Sequence, residues 1–515
     1  MKHFHLKLLL STIFCFILFS STGQQLNSSF ALGNNDETIH KVETSSNPST
    51  DNAGTLQHES SETSEGEGAH GESEGLSTLQ LITLMVLLAA VFLFVNIHYI
   101  RLPSTIGLMI LAIIMSIILL IGGFFFPALN ESITTIMTTV DFSEVLFDIM
   151  LSFLLFAGAL DINLKKLGEE KWVVLILATG GVLISTFVVG YIMFYVFGFL
   201  GLAVPLIQCL LFGALISPTD PIAVLSLVKK MGISKNLEIK IAGESLFNDG
   251  IGVVVFLTIL GIANPELSGH GGGETSVGSI ASLFLIEVGG GVLLGAATGV
   301  LGFQLLRLID NAHVELEVLV TLSLVMAGTQ VANFFHVSAP LAMVVLGIFL
   351  GNKGRSKFLS EVTGEYVFKF WHLVDEALNA ILFILIGLQI IIISALITTD
   401  FIIAMVIAVP VVLFARLLGV GIPVKIMAIK RKFEKNAISI LTWGGLRGGI
   451  SVALALSLPA YSVGNLNVTG LIMACTYMVV VFSILVQGLT IGKLVTKSMD
   501  IEETMPVETD VPGAI

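Results

Sequence analysis

The sequence predicts an all-α protein that crosses a membrane about thirteen times. Three observations carry that expectation. Hydrophobic types make up 55% of the 515 residues and charged types only 12%, about half the charged share of a soluble domain. Apolar segments of spanning length follow one another from residue 78 to residue 492. Backbone groups in lipid must be bonded within the segment, so each is a helix. The basic residues then fall in alternate loops, the pattern that membrane insertion produces. So little charge cannot cover a water-facing surface, which excludes an ordinary soluble enzyme and a disordered chain. The net charge of −13 argues against nucleic acid as a partner, which calls for a basic face. Cys15, Cys209 and Cys475 are too scattered for a disulfide framework or a zinc site.

Residues 1–24 have the pattern of a secretory signal peptide. Lys2 and Lys7 open it, Leu8 to Phe19 is an apolar run too short to span, and Ser20, Ser21, Thr22 and Gly23 suit cleavage. An uncleaved first helix is the other reading. Cys15 lies inside the apolar run without small residues ahead of it, which does not fit a lipid anchor. Residues 25–77 hold ten acids, one lysine (Lys41) and almost no aromatics. Such a stretch buries too little surface to offset its ordering entropy and reads as a disordered acidic tail. A solvated tail also accounts for His58 and His70 more simply than a metal site does. A short acidic tail closes the chain over 498–515.

The thirteen segments are roughly 78–98, 104–127, 143–160, 172–197, 202–228, 238–263, 276–308, 315–336, 338–352, 371–397, 401–428, 436–460 and 467–492, the ninth being short. Twenty of the 25 Lys and Arg fall in loops after odd-numbered spans and none in loops after even ones. Lys165, Lys166, Lys229, Lys230, Lys430 and Arg431 are examples. The odd loops are therefore cytoplasmic, the N-terminal tail extracytoplasmic and the C-terminus cytoplasmic. A signal peptide predicts the same outside tail. Setting aside three lysines near the N-terminus, the two remaining basic residues, Arg416 and Arg447, lie inside spans.

Ionisable groups at membrane depth are costly and mark function by default. The fifth span contains Ser217-Pro218-Thr219-Asp220-Pro221. Pro218 and Pro221 each remove a backbone donor and disfavour helix before them, so the helix is interrupted around Asp220 and frees carbonyls for a cation. The sixth contains Glu244, Ser245, Asn248 and Asp249. Helical spacing places Glu244 with Asn248 on one stripe and Ser245 with Asp249 on the next. Interhelical packing explains one polar pair, but two acids exceed that need. The twelfth carries Gly444, Gly445, Gly448 and Gly449 around Arg447. Glycine breaks helical regularity and lets another backbone approach. Arg447 keeps its charge and needs a carboxylate, for which Glu244 is the natural candidate. The interrupted spans five and twelve are seven apart, so they run in opposite directions. That spacing fits an inverted repeat with a midplane site, as in secondary transporters.

Other features are weaker. Gly291, Gly295 and Gly299 read as a close helix-packing stripe. Glu287 fits either a pathway or an interfacial position. Asp148, Asp375 and Glu376 read as interfacial residues near span ends. The sequence names no partner for Arg416.

Asp220, Asp249, Ser245 and Thr219, with unwound carbonyls, offer hard oxygen ligands suited to a small alkali or alkaline-earth cation. Buried carboxylates take protons as well as metal ions, so the two compete for the same groups. A carrier that opens this site to either side, but seldom moves it empty, exchanges one for the other. Nothing here calls for a cofactor or nucleotide. Gly488 to Lys493 lacks phosphate-loop spacing, and no such loop appears elsewhere.

At these residues the chain resembles the NhaP/NHE-type monovalent cation–proton antiporters. Ser-Pro-Thr-Asp-Pro in span five, Glu-Ser-Leu-Phe-Asn-Asp-Gly in span six and Gly-Leu-Arg-Gly in span twelve carry the resemblance, which covers about 78–497. It implies a homodimer in the inner membrane, with spans 4–6 and 11–13 as a moving core and the rest as scaffold. It implies Asp249 as the main carboxylate for Na+ and H+, with Asp220, Thr219 and Ser245 completing the transported ion's ligand set. Asn248 and a Glu244–Arg447 ion pair then steady the core, and the Asn-Asp pair matches the electroneutral branch. Several family members place an acid in span three where this chain has Ala157, which leaves cation preference open between Na+ and K+. A cation channel and an intramembrane aspartyl protease are rival readings. Self-contained inverted halves count against the first. Asp220 between prolines, with Arg447 nearby and no protease signature, counts against the second.

Overall fold

The computed structural model describes residues 78–126, 150–220, 224–225, 235–264, 277–308, 313–357, 361–394, 398–431, 433–434 and 436–503. The predicted signal peptide, the acidic tail at 25–77, Asp148 and Pro221 lie outside these residues. Contacts divide the chain into Met1–Ser77 and Thr78–Ile515. All described residues belong to the second unit.

Its described residues form helices and their connections, one small hairpin and one isolated bridge. In chain order the helices are α1 Thr78–Val95, extended by a π turn to Ile100, α2 Ser104–Phe125, α3 Ser152–Leu160, α4 Leu164–Phe199, α5 Leu206–Ile216, α6 Lys235–Ala263, α7 Val277–Leu308 and α8 Val314–Phe334. They continue as α9 Ala339–Lys357, α10 Glu361–Ser394, α11 Thr399–Met427, α12 Ala437–Trp443, α13 Gly449–Leu456, α14 Val468–Phe482 and, after a π turn, α15 Gly488–Glu503. Strands β1 Ser462–Val463 and β2 Leu466–Asn467 pair between α13 and α14. Several starts are written in the local sequence. Asn163, Thr398 and Asn467 each accept a hydrogen bond from a backbone amide of the first turn that follows.

Among the described residues nine helices are long and apolar enough to cross a membrane. The remaining predicted segments fall on the shorter helices α5 and α9, on the interrupted pair α12–α13, and on 143–160, of which Ser152–Leu160 is α3. Large apolar side chains such as Ile118, Leu293 and Val406 stand exposed on outer helix faces, where lipid contact favours them.

α4 packs against α5, α6 and α11, while α9 packs against α3 and α7, and α10 against α2. The glycine stripe of α7 acts as predicted. A Cβ on Gly291 would stand 2.7 Å from Ser338 O, and one on Gly295 would run into Ala342 O, so α7 and α9 meet backbone to backbone. Behind them Trp371 is fully buried, 4.6 Å from the Phe156 ring, and its indole donates to Thr321 Oγ1 at 3.0 Å. One boundary matters for the site. Span ten was expected from residue 371, but α10 begins at Glu361.

The close α7–α9 contact gives a stability prediction. Gly295→Val forces the two backbones apart and should cost about 1–3 kcal/mol, read as a lowered thermal unfolding midpoint of the purified protein in detergent. Unchanged stability contradicts this packing.

Candidate functional site

The site begins where α5 stops. Ser217 O has no helical donor because position 221 is a proline, and Ala214 O, whose usual donor position is Pro218, accepts from Ser217 N at 3.3 Å instead. The chain leaves the helix at Ser217 and runs non-helically through Thr219 to Asp220. On the opposite side α12 ends at Trp443 and α13 starts at Gly449, with Gly444 to Gly448 between them. The two breaks cross. Asp220 N donates to Leu446 O at 2.8 Å, forming an isolated antiparallel bridge. A side chain on Gly448 would collide with the Asp220 carboxylate, and one on Gly445 with the Arg416 guanidinium. Both positions are therefore held to glycine by close approach.

α6 supplies the third wall. Glu244, Ser245, Asn248 and Asp249 are all buried, as is Thr219 opposite them. Asn248 Nδ2 donates to Thr219 Oγ1 at 2.7 Å and to Glu244 Oε1 at 3.0 Å, and its Oδ1 accepts from Thr219 N at 3.2 Å. Ser245 Oγ donates to Thr219 O. Asn248 thus clamps the broken strand of the fifth span to α6. Ser245 and Thr219 keep oxygen lone pairs beyond these bonds.

The predicted Glu244–Arg447 ion pair is not formed. Arg416 on α11 takes Glu244 instead, through Nη1 to Oε1 at 2.7 Å and Nη2 to Oε2 at 2.8 Å, and Nη2 also donates to Leu441 O at 3.1 Å. A planar fork matched to both carboxylate oxygens is the strongest arrangement available to a buried arginine. Arg447 has another task. Its Nη1 donates to Ser217 O and, at 2.9 Å, to Pro218 O, while its backbone amide donates to Ser483 Oγ at 2.8 Å. The guanidinium of one broken helix therefore bonds two carbonyls of the other break, one of which, Ser217 O, has a proline at its helical donor position. Sequence reasoning missed the Arg416 pairing because distance along the chain does not reveal which helix faces α6. The available signal was that two buried arginines need two sets of acceptors.

Asp249 is left over. It is 5% exposed, and its Oδ1 has no hydrogen-bond partner among the described residues. It lines a cavity of about 90 Å³ together with Asp220, Asp375, Asn379, Leu382 and Ser451. Asp375 was expected at an interface. It sits fourteen residues into α10, half-buried at the cavity, while Glu376 beside it is exposed. The signal for the longer helix was present in Glu365–Lys369 and His372–Glu376, both four apart and in contact at 2.7 and 3.9 Å. A second void, about one water in size, lies among Thr219, Asp220, Glu244, Ser245 and Arg416. Among the described residues no group of three or more His, Cys, Asp or Glu is gathered to hold a metal. A cation here needs hydroxyl, amide or backbone oxygens beside carboxylate.

The sequence profile of the transmembrane sodium/hydrogen exchangers matches residues 84–497. The chain belongs to that family. It is 46% identical over 427 residues to the Na(+)/H(+) antiporter NhaP of Pseudomonas aeruginosa, covering 81% of this chain and 96% of the relative. It is 32% identical over 397 residues to the Na(+)/H(+) antiporter NhaH of Halobacillus aidingensis, covering 77% and 92%. Among solved structures, the sodium proton antiporter MjNhaP1 of Methanocaldococcus jannaschii superposes with a TM-score of 0.64 at 19% identity, over 82% of this chain and 98% of that one. That likeness is one of fold.

The Arg416–Glu244 pair gives a second prediction. Arg416→Met leaves a buried, unpaired carboxylate and should destabilise by about 3–5 kcal/mol. Arg416→Met with Glu244→Gln should recover most of the loss. Thermal unfolding in detergent compares the two; equal stability of the single and double variants contradicts the pairing.

Proposed function

We propose that this protein exchanges Na+ for H+ across the membrane, one for one, by alternating access to a single buried site. One observation carries the reading. Glu244 is neutralised by Arg416 within its own hydrogen-bonded cage, whereas Asp249 lines a cavity and its buried Oδ1 has no hydrogen-bond partner among the described residues. A buried carboxylate without compensation is too costly to persist. Asp249 therefore holds either a proton or a metal cation, and the two displace each other.

The ligand set of this reading joins two neighbouring voids, Asp249 lining one, Thr219 and Ser245 the other, and Asp220 both. Asp249 and Asp220 supply charge, and Ser245 Oγ and Thr219 supply neutral oxygens. Asn248, Glu244, Arg416 and Arg447 hold the frame. Hard oxygen donors suit an alkali cation, and the names of the relatives support sodium. Asn248 next to Asp249 leaves one titrating acid at that point of α6, which favours one proton per cation. Movement of α4–α6 and α11–α15 against the other helices, within a homodimer of the inner membrane, is the expected transport motion. The alternation of basic loops supports a cytoplasmic C-terminus and an extracytoplasmic N-terminal tail.

Everted membrane vesicles test this directly. Added Na+ should dissipate an imposed pH gradient, and Asp249→Asn should abolish the response. Parallel additions of K+ and Li+ report the preference. A variant that transports like the parent ends the proposal. Competition also fixes a pH dependence. Because proton and Na+ are alternatives at one carboxylate, the apparent KM for Na+ should rise about tenfold for each unit of pH decrease once Asp249 is mostly protonated. Initial rates over a pH series read this, and a KM that stays flat at every pH of the series contradicts a shared site.

A further inference from the structure

The cavity beside Asp249 holds more unpartnered oxygen than the four proposed ligands account for. Asn379 on α10 is 4% exposed and Ser451 on α13 is 1% exposed. Asn379 Oδ1 and Ser451 Oγ each lack a hydrogen-bond partner among the described residues, as Asp249 Oδ1 does. All three residues line the same cavity, on three different helices. The orientation of Asn379 is fixed. Its Nδ2 donates to Asp375 Oδ1 at 3.0 Å and to Asp375 O at 2.9 Å, so the amide nitrogen is spent and the carbonyl oxygen is left over. Asp375, one helical turn earlier on the same face, adds a second carboxylate to that wall. The α3 contribution is apolar, from Leu154, Leu155 and Gly158.

Buried amide and hydroxyl oxygens are almost always satisfied. Two such orphans, on residues that line the same void as a residue with an orphaned carboxylate oxygen, point to an occupant. That occupant must accept lone pairs from Asn379 and Asp249 together. Water can serve one or two of them, but a cation serves all three and also offsets the Asp375 charge. The void has room for an ion with some of its water.

We infer that Asp375, Asn379 and Ser451 form a second subsite for a monovalent cation, facing Asp249 across the cavity, through which the ion passes on its way to or from Asp249. The inference rests on the proposed role of Asp249. Ser245 and Thr219 belong to one side of Asp249, and this subsite lies on the α10 side. The cation is handed between two half-sets of oxygens, with Asp220 lining the voids of both. Asn379 acts as a positioned ligand, and Asp375 supplies the charge that draws a cation rather than a neutral solute into the void.

Na+-dependent H+ exchange by the full chain in proteoliposomes tests it, with Asp375→Asn, Asn379→Ala and Asp249→Asn compared at fixed pH. The first two should each raise the apparent KM for Na+ roughly three- to tenfold, while the rate at saturating Na+ falls less than twofold. Asp375→Glu should keep the KM near the parent value. Unchanged KM in both Asp375→Asn and Asn379→Ala, with Asp249→Asn inactive, overturns the subsite and leaves the Asp249 reading intact. Active Asp249→Asn overturns that underlying reading instead. A lowered maximal rate at unchanged KM, not rescued by Asp375→Glu, indicates a structural role and also overturns the subsite. If one of the two variants does not accumulate in the membrane, the KM of the other decides.

Discussion

The whole arrangement depends on one constraint. Charges and backbone groups removed from water inside a bilayer must be compensated by other groups of the same chain. Nearly every polar contact around the site is a case of it. Arg416 and Glu244 cancel each other through a bidentate fork. Arg447 spends its Nη1 on carbonyls that the proline-broken helix cannot serve. Asn248 satisfies Thr219 on both its amide and its hydroxyl. Beside these pairings, the buried Oδ1 of Asp249 has no hydrogen-bond partner among the described residues.

The same constraint explains why the site lies at a crossing of interrupted helices. A continuous helix offers no carbonyls, because each is used four residues on. Pro218 and the proline at 221 release carbonyls at Ser217 and nearby, and the glycine-rich break at 444–448 lets the second chain segment come close enough to use them. The Asp220–Leu446 backbone bond then ties the two breaks together. The rigid frame and the proposed ion-binding groups Thr219 and Asp220 therefore arise from the same local departures from helix. A change that moves Gly448 or Arg447 disturbs both.

Much of the site was legible from the chain. Asp220, Thr219, Ser245, Asn248 and Asp249 were recognisable because acids and prolines within apolar runs have no bland explanation, and α6 does gather the last three of them, with Glu244, on adjacent stripes. Two features were not. The partner of Glu244 was assigned to Arg447 although Arg416 holds it. Asp375 was placed at an interface because the apolar run of span ten begins at residue 371, whereas the helix extends back to Glu361 over an amphipathic turn carrying Glu365 and Lys369. Hydropathy finds the part of a helix that meets lipid and overlooks polar turns that continue it.

The amino-acid order by itself determined that this is a multi-helix membrane protein, where its helices break, and which acids lie at membrane depth. Those properties follow from local chemistry: the apolar run, the missing proline donor and the cost of a buried charge. Which arginine meets which carboxylate, and that α10 brings Asp375 and Asn379 to the cavity of Asp249, only the tertiary structure decided. Helical periodicity fixes the face on which a side chain lies, but not the neighbour that face will meet. That choice is made when ten or more helices pack at once, so that buried charges and orphaned backbone groups are satisfied together.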